Sequence, residues 1–267
     1  MLKKEKLEKW IKKRIQVISD HLTSYCSKRE EEDLHKIRVE IKKLRALIYL
    51  VRKTGGKKHK TEKQLLKDVF KHAGRIRDAQ LQLHFISELH IEDPGFLYEE
   101  LKSKEREDHL LMLRADEYLY NIKKVQKGLL KKLDEIDLQE AESLGKMEWD
   151  KILYFLLASV DVDRMHDERK KIKQLMYMLR ILPDEVPETL AIDLKFLDDL
   201  ADKIGKWHDL LITVQMLRKR NEPADMVAPI DEKAKGMLNE VKTIIRDFQQ
   251  SRVSEPGFAF PQMSIEH

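Results

Sequence analysis

Four cationic or proton-binding side chains near the N-terminus are spaced three, four and three residues apart: His35, Arg38, Lys42 and Arg45. At about 100° per residue, an α-helix places this spacing in one row within an arc of roughly 80°. The row is about 15 Å long, and Tyr49 extends it. Aligned guanidinium and ammonium groups offer charge-assisted hydrogen bonds to an elongated anion. The chemistry indicated is anion binding.

The row occurs twice, at an offset of 131 residues and without a gap. Residues 35–50 align with 166–181, and residues 74–78 align with 205–209. Seven of these 21 pairs are identical, and the row itself recurs as His166, Arg169 and Lys173. A solvated helix face needs only to remain polar. The ordered recurrence of histidine, arginine and lysine therefore indicates binding.

The second row differs from the first at two positions. Arg180 stands where the first has Tyr49, and Met176 stands where it has Arg45. If the repeats are related by a pseudo-twofold axis, the two rows face each other. The positive charges that line such a groove repel one another unless an anion binds between them. We therefore predict a basic groove between two facing rows.

A glycine and an aspartate recur at the same offset, as Gly74 and Asp78 and again as Gly205 and Asp209. Glycine inside a helix costs about 0.5–1 kcal/mol relative to alanine. Its recurrence predicts a close approach of another backbone or of a ligand. We expect the two aspartates to hold an arginine or lysine of the neighbouring row in a fixed rotamer.

Composition favours an all-α protein. Of 267 residues, 37% are charged and only 7% aromatic, which suits long solvated helices better than strands. The net charge of +4 conceals an asymmetry, since residues 1–134 carry 33 Lys/Arg against 22 Asp/Glu. The first part should therefore attract polyanions more than the rest. A single cysteine and the lack of a long apolar segment lead us to expect a cytoplasmic protein without a membrane span.

Helical periodicity and breakers divide the chain into two halves of four helices, 1–134 and 135–250, followed by an extended tail at 251–267. The predicted helices span 3–26, 30–53, 60–90, 95–134, 139–161, 163–182, 188–220 and 226–250. In the second helix an apolar stripe is expected to enter the core: Ile37, Ile41, Leu44, Ile48 and Val51. The tail could dock through Phe258 and Phe260.

These residues resemble the CHAD family, the conserved histidine α-helical domain. The family's H-x-x-R-V-x-x-[RK]-[RK]-x-R pattern matches His35, Arg38, Val39, Lys42, Lys43 and Arg45. Its second-repeat pattern, H-x-x-R-x-x-x-K-x-x-R-Y, matches His166, Arg169, Lys173 and Tyr177. Its L-G-x-x-R-D element matches Gly74, Arg77 and Asp78, with a looser copy at Gly205 and Asp209. Departures are Met176, Arg180 and His208, which take the places of other residue types.

The resemblance implies two four-helix halves with a basic central pore, and inorganic polyphosphate as the ligand. The residues expected to bind it are His35, Arg38, Lys42, Lys43, Arg45, Arg77, His166, Arg169, Lys173, Arg180, Lys206 and His208. Supporting roles are expected for Gly74, Asp78, Gly205, Asp209, Tyr49 and Tyr177. No cofactor is implied, and polyphosphate granules are a candidate location.

Two other binding functions stay open. Glu32 with His35, and Asp163 with His166, have the carboxylate-x-x-histidine spacing of di-iron helical bundles, although the neighbouring cations would repel a metal ion. A basic groove would also hold nucleic acid without specificity. Catalysis has little support, since we find no glycine-rich phosphate loop and no nucleophile beside a base.

The histidines predict a pH dependence. With an ordinary pKa near 6.5, His35 and His166 would gain charge as the pH falls from about 8 to 6. Polyphosphate binding would then tighten over that range.

Overall fold

The computed structural model describes residues 1–88 and 94–253, which form helices joined by turns. The helices are α1 (Lys4–Lys28), α2 (Glu31–Lys53), α3 (Lys60–Glu88), α4 (Pro94–Leu113), α5 (Ala115–Lys131), α6 (Leu138–Leu157), α7 (Met165–Leu179), α8 (Glu185–Thr189), α9 (Leu194–Lys219) and α10 (Ala224–Val253). The predicted all-α class is confirmed. Among the described helices, none has both the length and the apolar content needed to cross a bilayer.

The chain folds into two compact units, the first comprising Met1–Ala141 and the second beginning at Glu142. This division lies inside α6, a few residues beyond the junction expected at 134/135. The groove expected between the two rows stays a prediction from the sequence.

In the first unit α1 packs against α2 and α5, and α3 packs against α2, α4 and α5. Helices α1, α2, α3 and α5 therefore form a closed ring of four. The apolar stripe predicted for α2 is confirmed, since all five of its members are buried. Burying one such side chain contributes about 1.5–3 kcal/mol, so the stripe fixes which face of α2 stays outside. An isolated antiparallel bridge between Leu2 and Ile136 ties the N-terminus to the segment after α5.

The single helix predicted over 95–134 is wrong, because the chain turns at Arg114 between α4 and α5. Arg114 has φ −103° and ψ 4°, outside the helical region. Its guanidinium donates twice to the Glu117 carboxylate, at 2.9 and 3.0 Å, and lies over the Tyr118 ring. These contacts stabilise the turn without a proline or glycine to signal it.

In the second unit α9 packs against α7 and α10. The helix predicted over 188–220 begins too early, because α8 ends at Thr189 and Ala191 adopts a left-handed φ of 50°. Asp193 then caps α9 by accepting from the amides of Lys195 and Phe196, both at 2.9 Å. A carboxylate that satisfies free N-terminal amides fixes where the helix starts.

The first three residues of the predicted C-terminal tail are helical. Helix α10 continues to Val253, so residues 251–253 are helical. The rest of the expected tail, with Phe258 and Phe260, lies outside the described residues.

Candidate functional site

Arg38 of α2 lies across α3 at Gly74. Its Nη1 donates to the backbone carbonyl of Phe70, one turn before the glycine, at 3.0 Å. A Cβ at Gly74 would overlap this nitrogen. The Phe70 ring lies 4.2 Å from the guanidinium carbon, in the geometry of a cation–π contact. The recurring glycine is therefore explained by the approach of an arginine side chain to the backbone.

The second unit repeats this arrangement between α7 and α9. Arg169 Nε donates to the Ala201 carbonyl at 2.8 Å, and a Cβ at Gly205 would overlap the guanidinium. In both units the acceptor lies 32 residues after the arginine. We call each arginine with its carbonyl and glycine an arginine lock. Since the locks share one register, residues 131 apart occupy equivalent positions in the two helix pairs.

The arginine's hydrogen bond goes to a carbonyl and not to the recurring aspartate. Desolvation lowers the pKa of the Arg38 guanidinium, and the negative charge of Asp78 opposes this shift. Desolvation raises the pKa of the Asp78 carboxyl, and the positive charges of Arg38 and Arg77 oppose this shift. The residue as a whole remains exposed. Asp209 is half-buried, and its backbone carbonyl accepts from the Thr213 hydroxyl at 3.0 Å. The hydrogen bonds that orient Arg38 and Arg169 are thus those to the Phe70 and Ala201 carbonyls, and the role expected of the two aspartates stays a prediction.

The histidines lie one turn before each lock. Exposed His35 lies near Arg77, whose Nη1 donates to Glu31 at 3.3 Å. The equivalent pair in the second unit is His166 and His208, whose rings stack with centroids 3.7 Å apart and planes 23° apart. The structure thus brings each histidine to the residue matching Arg77.

Neither histidine keeps its ordinary pKa, so the premise of the expected pH dependence is wrong. Desolvation is the largest cause of the lowered pKa of His35. Glu32 opposes the shift, and the positive charges of Arg77, Lys42 and Lys36 add to it. Desolvation and the neighbouring His208 lower the pKa of His166 to about 4. The buried Nδ1 of His166 has no hydrogen-bond partner within residues 1–88 and 94–253. Burial therefore disfavours the charged form of both imidazoles in the free protein.

The residue that ends each row differs in burial between the units. Arg45 is exposed, with its guanidinium 5.5 Å from the centre of the Phe70 ring. In the second unit alanine replaces this phenylalanine at 201, and Met176 is buried where Arg45 is exposed. The change from arginine to methionine is thus accompanied by burial of the side chain.

The lysines of the two rows have different surroundings. Lys173 donates to Asp198 at 2.5 Å and to Asp202 at 2.8 Å, and its side chain is only 15% exposed. Arg180 donates to the other oxygen of Asp198 at 2.9 Å. The sequence interpretation missed both acids, although they were visible at their positions on the same helix as Gly205. The predicted second row is thus largely ion-paired within its own unit.

Several predicted residues lie away from the locks. Lys43 pairs with Glu40 at 2.6 Å, and Glu40 also accepts from Arg14 of α1 at 3.1 Å. Lys206 is exposed, and its counterpart Arg75 turns to Glu107 of α4. These two lysines are not brought to the neighbouring row.

The two tyrosines also differ. Tyr177 is 8% exposed, and burial raises the pKa of its hydroxyl. Tyr49 is half-buried, and its ring lies near Arg52 and Lys53, at 5.6 and 5.9 Å. Tyr49 therefore extends the basic surface, whereas Tyr177 belongs to the core.

The metal hypothesis gains no support from the geometry. Among the described residues, no three His, Cys, Asp or Glu side chains converge as ligands. Glu32 pairs with Lys36 at 3.1 Å, and His166 stacks on His208.

The arginine lock makes a prediction for Gly205→Ala. Alanine should gain about 0.5–1 kcal/mol of helix stability, offset by about 0.5–1.5 kcal/mol from the displaced Arg169 bond. Gly236→Ala is the matched control, because Gly236 of α10 has open space around it. Urea unfolding should show stabilisation for Gly236→Ala and none for Gly205→Ala. Equal stabilisation of both variants would mean that Arg169 does not depend on the glycine.

The pKa of His166 predicts how stability responds to acid. As the pH falls through about 6.5, the unfolded chain binds a proton that folded His166 accepts only near pH 4. The free energy of unfolding should therefore decline over this window, and less steeply in His166→Asn. NMR titration of the free protein should place the pKa well below 6.5. A midpoint near 6.5 would contradict the buried, stacked geometry.

Comparison with known proteins places this geometry in a family. A family model described as the CHAD domain matches residues 9–218. The chain is similar to the crystal structure of the CHAD domain from the plant Ricinus communis, with a TM-score of 0.67 and 16% identity over 98% of this chain and 94% of that one. At this identity the structural likeness shows the fold alone. No curated protein sequence matches the chain. Because the family model covers most of its length, the chain belongs to the CHAD family.

Proposed function

We propose that this protein binds inorganic polyphosphate without transforming it, and that the locked arginine is the central contact. The observation that carries the proposal is the bond from Arg38 to a backbone carbonyl, repeated in register by Arg169. The polyphosphate association of the CHAD family supports the choice of ligand.

A carbonyl partner suits an anion-binding arginine for two reasons. It is uncharged, so it orients the guanidinium without cancelling its charge as a carboxylate would. A guanidinium also has five N–H donors, so most remain for phosphate oxygens. Fixing the side chain in advance lowers the entropy lost on binding.

The side chains around Arg38 extend the contact along a polymer. His35, Lys42 and Arg45 follow it on the outer face of α2, and Arg77 faces His35 from α3. Phosphate oxygens recur at short intervals along polyphosphate, so a row of donors can engage several at once. Neutral His35 can donate one hydrogen bond to the chain.

Nucleic acid is the weaker candidate because the aromatic ring beside the row is occupied. Single-stranded binders stack bases on aromatic side chains. The Phe70 ring lies against Arg38 at 4.2 Å and Arg45 at 5.5 Å, and Tyr177 is buried. Tyr49 at the end of the row is half-buried, and Arg52 and Lys53 lie near its ring. These contacts leave donors at the surface and limit base stacking on the three rings.

We predict that Lys42→Ala/Arg45→Ala weakens binding of polyphosphate of defined length by at least tenfold. Lys123→Ala/Lys124→Ala is the control, because it removes two exposed lysines of α5 in the same unit. Fluorescence anisotropy at 50 to 200 mM salt should show affinity falling steeply with salt. The slope of log affinity against log salt should be shallower in the row variant by about 0.7 for each phosphate that is no longer neutralised, taking single-stranded nucleic acid as a guide.

Salt-independent affinity, or equal affinities of the two variants, would contradict the electrostatic row. The same assay with RNA at equal phosphate concentration ranks the ligands. Polyphosphate should compete RNA away, and the reverse order would favour nucleic acid.

A further inference from the structure

The two equivalent helix pairs differ in charge beside the row. Asp198 and Asp202 of α9 hold Lys173, and Asp198 also holds Arg180. The positions 131 residues earlier on α3 carry Lys67 and Lys71. Two carboxylates in one unit are thus replaced by two ammonium groups in the other.

The two arginine locks show that these positions are structurally equivalent. Arg38 reaches residue 70 and Arg169 reaches residue 201, so α3 and α9 present equivalent positions to the preceding row helix. Lys67 and Lys71 therefore occupy the α3 positions from which the second unit's acids reach its row lysine. Both lysines are exposed.

The two positions differ by four formal charges between the units. Lys67 and Lys71 carry +2 on α3, whereas Asp198 and Asp202 carry −2 on α9. The two carboxylates pair with Lys173 and Arg180, whereas two ammonium groups at the same positions add positive charge that attracts an anion. A polyanion approaching Lys173 must first displace two carboxylates.

We infer that the anion-binding surface of this protein is the α2–α3 face of the first unit, and that Lys67 and Lys71 are ligand contacts on it. The α7–α9 face carries an ion-pair network in place of a ligand. This inference rests on the proposed function and narrows it to one half of the repeat. Arg52 and Lys53 beside Tyr49 continue the same basic surface.

Charge reversal in the first unit tests the inference. Lys67→Asp/Lys71→Asp copies the second unit's acids onto α3, at the positions equivalent to Asp198 and Asp202. Affinity for linear polyphosphate should fall more than tenfold, and the salt slope should become shallower by about 1.4, at about 0.7 for each of the two lost lysine contacts. Lys123→Asp/Lys124→Asp makes the same change in net charge on α5 and should weaken binding far less.

The reciprocal change tests the second unit. Asp198→Asn/Asp202→Asn keeps side-chain size but releases Lys173 and Arg180, so it should tighten binding or add a second bound polymer by titration calorimetry. Lys173→Ala/Arg180→Ala should leave the affinity within about twofold, since their charge is already neutralised. Circular dichroism checks that each variant folds.

The outcomes separate this inference from the proposed function. If wild type binds polyphosphate but Lys67→Asp/Lys71→Asp matches its α5 control, the function stands and the inference is overturned. A large drop in affinity for Lys173→Ala/Arg180→Ala also overturns it, because the second unit would then carry the ligand. If wild type binds no polyphosphate at low salt, both fail.

Discussion

The hydrogen bond from an arginine to a backbone carbonyl beside a helix glycine is the constraint on which both candidate sites depend. It sets the register of α2 against α3 and of α7 against α9. It also explains why each helix keeps a glycine that weakens it, since any side chain there would collide with the guanidinium. The arginine is therefore part of the helix interface and part of the exposed face at once.

The repeated scaffold carries different electrostatics in its two copies. In the first unit the lock is surrounded by donors and cations, with Asp78 as a nearby opposing charge. In the second, acids on α9 bind the row lysine, two histidines stack, and a buried methionine takes the place of an exposed arginine. Packing and backbone register are thus maintained where side-chain charge is not. In our account the first unit binds the ligand, and the second unit keeps the helix packing without binding it.

Periodicity was enough to predict most of the helices and the buried stripe of α2, because each depends on spacing along one chain segment. The turn at Arg114 escaped prediction because side-chain contacts make it, with no proline or glycine. The carbonyl acceptors of the two locks could not be predicted, because every residue has a backbone carbonyl and the residue type does not show which one accepts. Asp198 and Asp202 could have been found by extending the 131-residue comparison over the whole of α9, where they align with Lys67 and Lys71.

A double-mutant cycle between Arg38 and Gly74 tests the lock most directly. Polyphosphate affinity would be measured for wild type, Arg38→Lys, Gly74→Ala and the double variant, with folding checked for each. If the glycine acts only by admitting the guanidinium to the Phe70 carbonyl, Gly74→Ala should weaken binding in wild type and have no further effect once Arg38 is replaced. Additive decreases in affinity would show that the two residues act independently and would contradict the account.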